Sequence, residues 1–328
     1  GLGAVLPTRS LRQLKIRRQP ISTVSVGDRL TVELEVENPT NLPQTLLQVR
    51  DMLPFVLAPP QETPIEVILP HRVHSWVYSA TAEWRGVYRW DEVQLRTGSP
   101  LGLFWCRRDR QVKAKAVVYP RVLPLTNCPL VDTLGKDEST RFQSDRLYQA
   151  ATEGITKTLR LYRQGDPTRL IHWRTSARLG ALQVRELEVI TGGQEIIICL
   201  DSGGSWEEED FEQAVVAAGS LYVYAARCQL NVQLWTAATG LLHGNRVVLE
   251  ALAATSPEED SRGNSLPCLP LIWLTQNLPK PNILPGGSRW VLFPRAVFDL
   301  KQLLATVNTA GLVINGEQPL ERELQKPI

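Results

Sequence analysis

With 328 residues, 43% of them hydrophobic and 21% charged, the chain is long enough for two globular domains with apolar cores. Its 36 Lys and Arg nearly cancel its 34 Asp and Glu, and a net charge of +2 excludes a global field for nucleic acid, so any electrostatic partner must be met by a local patch. Five cysteines, odd in number, widely spaced and without a CxxC, argue against a disulfide framework or a zinc site and for a reducing compartment.

Residues 1–22 open with Gly1-Leu2-Gly3, without Met, and carry the basic run "RSLRQLKIRRQP". This stretch reads either as a solvated leader or as the flank of a removed membrane segment, and juxtamembrane Lys/Arg clusters favour the cytoplasmic side. No run approaches the roughly 18 apolar residues that a membrane-spanning helix needs.

Residues 23–120 read as an antiparallel β-sandwich. In "DRLTVELEVEN", Leu30, Val32, Leu34 and Val36 alternate with Thr31, Glu33, Glu35 and Glu37, the period of two of a half-buried strand. Gly27-Asp28 before it and Asn38-Pro39 after it are turn signals. The runs "QTLLQVRDML", "PIEVILP", "RVHSWVYSA", "RGVYRWDEVQLRT" and "AKAVVYP" follow with turn punctuation between them. Trp76, Tyr78, Trp84, Tyr88 and Trp90 are expected to fill the core and strand faces.

Residues 121–193 have no sustained period at first and read as a connecting segment. It ends in "LRLYRQGDPTRLIHWRTSARLGALQVRELEV", where Lys157, Arg160, Arg163, Arg169, Arg174, Arg178 and Arg185 have only Asp166 as a nearby acid before Glu186. Gly165 permits a tight turn, and Asp166 before Pro167 is a natural turn residue or cap. Arg169, Trp173 and Ala177, four apart, can share one face of a short helix, with Arg174 and Arg178 on a neighbouring face. Two readings stand. Either Asp166 pairs with Arg169 or Arg178 and braces the segment, or the arginine forks meet a partner's carboxylate or phosphate.

Residues 194–328 change character. "EIIICLD" is a fully apolar run ending in Asp, the look of a strand buried on both faces. In "SWEEEDFEQAVVAAGSLYVYAARC", Phe211, Ala214, Val215, Ala218, Leu221, Tyr222 and Ala225 recur at three and four, the period of a helix. "NVQLWTA", "LPLIWLTQN" and "RWVLFP" read as strands, "RVVLEALAAT" and "DLKQLLATVNTAG" as helices. This alternation implies a doubly wound α/β sheet, with ligands at the carboxyl ends of strands and hence near Asp201.

The turn Asp201-Ser202-Gly203-Gly204-Ser205 resembles the metal-ion-dependent adhesion site of von Willebrand factor A domains, where Asp-x-Ser-x-Ser and residues of two other loops hold Mg²⁺. Asp201 and Ser205 match the outer positions, Gly203 replaces the middle serine, and Gln276 in "WLTQN" stands where an aspartate is usual. The expected site is degenerate, with no cofactor. Ser205 with Glu208 also reads as a capping box for the following helix.

The longer pattern is similar to the bacterial family called domain of unknown function 58, roughly Tyr-x-x-Gly-Asp, two residues, Arg, then Ile-Asp-Trp and a later Ala-Arg. Tyr162, Gly165, Asp166, Arg169, Ile171, Trp173, Ala177 and Arg178 supply it, and His172 stands in the usual Asp position. "GSPLGLFWCRR" resembles that family's Asp-Pro-Phe-Gly-Leu-Phe turn, with Gly102, Leu103 and Phe104 retained. The resemblance implies two membrane helices ahead of such a segment and partnership with MoxR-type AAA+ ATPases and other von Willebrand-like proteins. It supplies no reaction.

The expectation is a non-enzymatic protein-binding chain, a β-sandwich followed by a von Willebrand A-like α/β domain. It would be the soluble portion of an adaptor or co-chaperone at the cytoplasmic face of the bacterial inner membrane. Tyr162, Gly165, Asp166, Arg169, His172, Trp173, Arg174 and Arg178 are its candidate surface. Two alternatives are a Mg²⁺-dependent adhesion module using Asp201 and Ser205, and a hydrolase using His172 and Asp166. No GxSxG, HExxH or P-loop accompanies the latter.

Overall fold

The computed structural model describes residues 11–98, 105–134, 156–163, 168, 171–187, 195–277, 284–294 and 309–328. It is β-rich, with several sheets and a few helices. Two compact units emerge: Gly1–Pro124 with Leu200–Val223 and Leu234–Ser265, and Leu125–Cys199 with Tyr224–Gln233 and Leu266–Ile328. This division is not the sequential pair expected from the sequence, because residues 200–223 and 234–265 group with the N-terminal strands.

In the first unit, β1 (Lys15–Arg18), β3 (Arg29–Glu37) and β6 (Val73–Thr81) form one sheet in the order β1-β3-β6. β2 (Val24–Ser25), β4 (Gln44–Asp51), β5 (Gln61–Ile68), β7 (Gly86–Thr97) and β8 (Cys106–Tyr119) form the other, in the order β2-β8-β7-β4-β5. The alternation read in β3 is the burial pattern found: Leu30, Val32, Leu34 and Val36 are all buried. Leu34 and Val36 pack with Leu47, Val49, Ile65, Val93 and Leu95, so the two sheets share one core. Tyr78 and Trp90 are buried in a second cluster with Leu30 and Val32. Trp84 departs from the expectation. It lies on the β6–β7 loop and is 56% exposed.

The basic opening is corrected from Leu11 onward. Leu11 and Leu14 are buried, Ile16 packs against the same core, and β1 pairs antiparallel with β3 from Lys15↔Glu37 to Arg18↔Leu34. Arg110 reaches the carbonyls of Leu11, Arg12 and Leu14 at 2.6, 2.8 and 3.1 Å. Apolar residues inside the basic run turn inward while most of the charges stay out, so this part of the proposed leader is a sandwich strand. Residues 1–10 lie outside the described residues.

Arg18 turns inward and meets Asp51, which has no exposed surface. Asp51 accepts four hydrogen bonds, from Arg18 Nη1 at 2.5 Å and Nη2 at 3.0 Å, Tyr78 Oη at 2.6 Å and Trp90 Nε1 at 3.0 Å. Burial pushes the Tyr78 phenol far above its ordinary value, reinforced by the Asp51 charge, so the hydroxyl stays a donor.

The first unit also contains most of a helix. The second contains β9 (Thr156–Leu161), helix α1 (Trp173–Leu179) and β10 (Gln183–Leu187), and α2 (Glu208–Arg227) begins in the first unit. The seven apolar positions read at helical spacing in α2 are all buried. The helix starts at Glu208, Glu207 O accepts the Phe211 N–H at 2.9 Å, and Glu208, Glu209 and Asp210 sit at the positive end of the helix dipole.

Arg85, on the β6–β7 loop, is a fixed point of the first unit. Its Nε and Nη2 meet the Glu212 carboxylate on α2 at 2.8 and 2.6 Å. Its Nη1 reaches the carbonyls of Leu252 at 2.5 Å and Thr255 at 2.9 Å, at the C-terminus of α3 (Asn245–Ala254). A helix C-terminus carries partial negative charge and orphan carbonyls, which a guanidinium satisfies. Lys115 adds an ion pair to Glu250 of α3 at 2.6 Å.

A six-stranded sheet runs in the order β13 (Gly240–Leu242), β12 (Asn231–Thr236), β11 (Glu195–Leu200), β14 (Leu271–Thr275), β15 (Arg289–Leu292), β16 (Gly311–Val313). β14–β15 and β15–β16 are parallel, and β13 is an antiparallel edge on β12. Central placement explains why residues 196–200 and all of β14 are buried, as their unbroken apolar runs require. The helix read in "DLKQLLATVNTAG" lies largely outside the described residues, and its end, from Gly311, is β16 instead. Among the described residues no helix is long and apolar enough to cross a membrane.

Residues 121–134 do more than connect. Leu125, Cys128, Leu130, Val131 and Leu134 are buried, and residues 129–134 are helical. In the second unit Cys128 Sγ lies 3.6 Å from the Leu324 carbonyl of α4 (Leu320–Leu324), and Tyr224 donates to Asp132 at 3.0 Å. Burial pushes the Cys128 thiol up to about 11, so it stays protonated and acts as a packing group.

Candidate interaction site on the signature helix

β9 and β10 pair antiparallel as a two-stranded ribbon, and α1 precedes β10. Hydrogen bonds among residues 172–183 fix the helix on the ribbon. His172 is the N-cap, and its Nδ1 accepts the Thr175 N–H at 3.2 Å. His172 N donates to Gln183 O at 2.8 Å. Ser176, buried, donates through Oγ to His172 O at 3.0 Å and accepts the Gln183 N–H at 2.8 Å. An isolated bridge joins Ile171 to Val184, and Tyr162 N donates to Leu182 O at 2.9 Å. Gly180 closes the helix at φ 67°, a left-handed C-cap that suits glycine.

These contacts assign roles within the signature. His172 is spent on the helix cap, with Nδ1 as an acceptor, which is a structural use of the ring. Gly165, Asp166 and Arg169 lie outside the described residues, so the Asp166–Arg169 brace and the His172–Asp166 pair have no geometry to report. Sequence reasoning missed Ser176 and Gln183, since a serine inside an arginine-rich helix carries no periodic signal of its tertiary bond.

What the lock leaves outward is chemically distinctive. Trp173 is 65% exposed, and Arg174, Ala177 and Arg178 are exposed beside it. The 173/177 and 174/178 spacings put these side chains on adjoining helix faces. Neither Arg174 nor Arg178 has an ion-pair partner among the described residues. Leu161, Leu159 and Leu182 are also exposed, at 61%, 39% and 43%. We expect Ser176→Ala to cost about 1–3 kcal/mol locally, because the buried Gln183 N–H loses its acceptor. Amide hydrogen exchange across residues 172–184 should accelerate while the sandwich keeps wild-type protection.

The Asp201 turn is tied down differently. Ser202, fully buried, accepts the Ala237 N–H through Oγ at 2.9 Å, and its carbonyl takes the Glu259 N–H at 3.0 Å. Trp206 Nε1 donates to Asp201 O at 2.6 Å. A Cβ on Gly204 would lie 3.0 Å from Asp201 Oδ2, so the carboxylate folds back over its own turn, and a Cβ on Gly203 would press on Ala237 Cβ at 3.3 Å. The turn thus offers Asp201 and Ser205 as outer donors, no hydroxyl at Gly203, and a Ser202 hydroxyl committed to the backbone. That set is too sparse for the near-octahedral oxygen shell of Mg²⁺. Among the described residues no three His, Cys, Asp or Glu group at metal-binding geometry.

No model of a known protein family matches the chain. The uncharacterised protein YeaD of Bacillus subtilis (strain 168) is 22% identical over 231 residues, which cover 67% of this chain and 54% of that protein. The chain therefore spans about half the length of this curated relative. Among solved structures, the CARDB domain of PF1109 from Pyrococcus furiosus is 14% identical over 32% of this chain and 94% of its own, with a TM-score of 0.25. The PapD-like domain 7 of human CEP192 is 11% identical over 32% of this chain and 84% of its own, with a TM-score of 0.22. At these TM-scores neither assigns a fold or a function to the chain.

Proposed function

We propose that the chain is a non-enzymatic protein-binding module of the domain of unknown function 58 kind, with α1 as its docking face. The observation that carries this is an exposed tryptophan flanked by two exposed arginines, without an ion-pair partner among the described residues, on a helix whose backbone is already fixed. Trp and Arg are the side chains that most often dominate binding energy at interfaces. A helix locked through Ser176 and Gln183 has little ordering entropy left to lose on binding. Arg174 and Arg178 ask for carboxylates, so the partner surface is acidic with an apolar pocket for Trp173.

In this reading the β-sandwich precedes a von Willebrand factor A-like α/β domain. The order β13-β12-β11-β14-β15-β16 supports it, since strand order reverses beside β11 as in doubly wound sheets. The partner is a MoxR-type AAA+ ATPase, and the chain serves as its adaptor or co-chaperone at the cytoplasmic face of a bacterial inner membrane. The test is co-purification with the AAA+ ATPase encoded nearest the gene, with and without ATP, beside an Arg174→Glu/Arg178→Glu variant. The expected result is a wild-type complex lost in a variant of unchanged melting temperature. A complex indifferent to both charge reversals, or none in any nucleotide state, would sink the proposal.

A further inference from the structure

A second, unrelated feature lies on the outer face of the five-stranded sheet. β4, β7 and β8 bring Gln48, Arg96 and Arg107 into one cross-strand row, Gln48↔Arg96 and Arg96↔Arg107. With Trp105 and Cys106 these residues line a recess of about 370 Å³, at the lower end of the size range of small-molecule sites. Two like charges directly opposite on neighbouring strands destabilise a sheet. Only Arg107 makes contact ion pairs, although the Asp109 charge also acts on Arg96. Arg107 is held by Asp109 at 2.8 and 3.0 Å and approached by Glu92 at 3.6 Å, whereas Arg96 has no ion-pair partner among the described residues. The Arg107 hydrogen bonds, with the charges of Arg107 and Arg96, hold the Asp109 carboxyl below its usual range.

The donors in the recess outnumber its acceptors. The Arg96 guanidinium and the Gln48 amide make no side-chain hydrogen bond among the described residues, and the Trp105 indole is 57% exposed. Cys106, half-buried and in no disulfide, lines the recess and also packs against the sandwich core. A fork-shaped cation, an amide and an open aromatic face together suit an oxyanion on a flat apolar body. The guanidinium takes the oxyanion bidentately and the indole covers the flat part.

We propose that this recess is a binding site for a small organic anion, a phosphate or carboxylate carried on a planar apolar group, with Arg96 as its anchor and Trp105 as its platform. Arg107, committed to Asp109, adds charge and shape rather than the primary fork. The anion relieves the Arg96–Arg107 repulsion, so binding stabilises the β7–β8 hairpin. The same chemistry can arrive as a free molecule or as an acidic and aromatic stretch of a partner's chain.

Cys106 provides the readout. Alkylation of wild-type protein would be followed on the tryptic peptide ending at Arg107, with the exposed thiols of Cys228 and Cys268 as internal controls. The probes are phenyl phosphate, benzoate, inorganic phosphate, phenol and a short Phe-Asp-Asp-Phe peptide. Phenyl phosphate or benzoate, at about ten times its dissociation constant, should slow Cys106 labelling roughly tenfold and leave the controls unchanged. Phenol should do nothing. Arg96→Gln should abolish the protection, and Trp105→Leu should weaken phenyl phosphate while sparing inorganic phosphate. Stronger protection by the peptide than by the small aryl anions would assign the source to a partner chain. If no anion protects Cys106 in the wild-type protein, or if Arg96→Gln binds as well as wild type, the site does not exist.

Discussion

Asp51→Ala should destabilise the sandwich by about 4 kcal/mol, because removing one partner of a buried ion pair leaves an uncompensated charge. The side chains of Arg18 and Asp51 are 3% and 0% exposed, so water cannot replace the lost carboxylate. Arg18 would be left over the Trp90 ring, 5.3 Å from its centroid, with the Val112 carbonyl at 3.3 Å its one remaining acceptor among the described residues. Tyr78 Oη and Trp90 Nε1 would lose their acceptor as well. The melting temperature of the sandwich should fall by roughly 10 °C, read by near-ultraviolet circular dichroism on heating. An Arg18→Met/Asp51→Leu double replacement separates charge from packing. Well-packed apolar residues often replace a buried ion pair without loss, so the double variant should be more stable than Asp51→Ala. Equal melting of Asp51→Ala and wild type would remove this cluster from the account of the fold.

Arg85→Ala should be the second most damaging change, at about 3 kcal/mol. The side chain of Arg85 is 9% exposed while that of Glu212 is 37% exposed, so part of the Glu212 charge returns to water and the cost is below that of Asp51→Ala. The larger share comes from the α3 carbonyls of Leu252 and Thr255, which lose a cation at the negative end of their helix. Arg85→Lys should rescue less than half, because an ammonium cannot hold a carboxylate bidentately and reach helix carbonyls in another direction. Hydrogen exchange in α3 is the measurement. Wild-type protection in Arg85→Ala would contradict the assignment.

The parts of this fold that were legible in the sequence are those where one physical rule acts alone. β3 alternates because one face meets the opposite sheet, and α2 repeats at three and four because one stripe is buried. β11 and β14 are continuous apolar runs because they lie centrally in their sheet. Where two rules compete, the reading failed. Around Lys15–Arg18 the charge count hid an apolar pattern at Leu11, Leu14 and Ile16, and Arg18 itself is buried only because Asp51, distant in sequence, is there to receive it.

The candidate site was half legible. Composition singled out the arginines and Trp173, of which Trp173, Arg174 and Arg178 are exposed. Local sequence could not say that His172 would be a cap or that Ser176 would bond Gln183, since both depend on how the helix folds back on β10. The recess at Arg96 was not legible at all. Its residues come from three strands, and register, which places Gln48, Arg96 and Arg107 in one row, is a property of pairing rather than of any one run.

The central claim is that α1 is a docking face built on a separate structural lock. Amide hydrogen exchange of the chain, alone and mixed with the AAA+ ATPase proposed as its partner, tests it most directly. The account predicts new protection confined to peptides covering Trp173–Arg178 and the exposed ribbon strand with Leu159 and Leu161, with the sandwich unchanged. Protection that appears elsewhere while residues 173–178 exchange as in the free chain would contradict it.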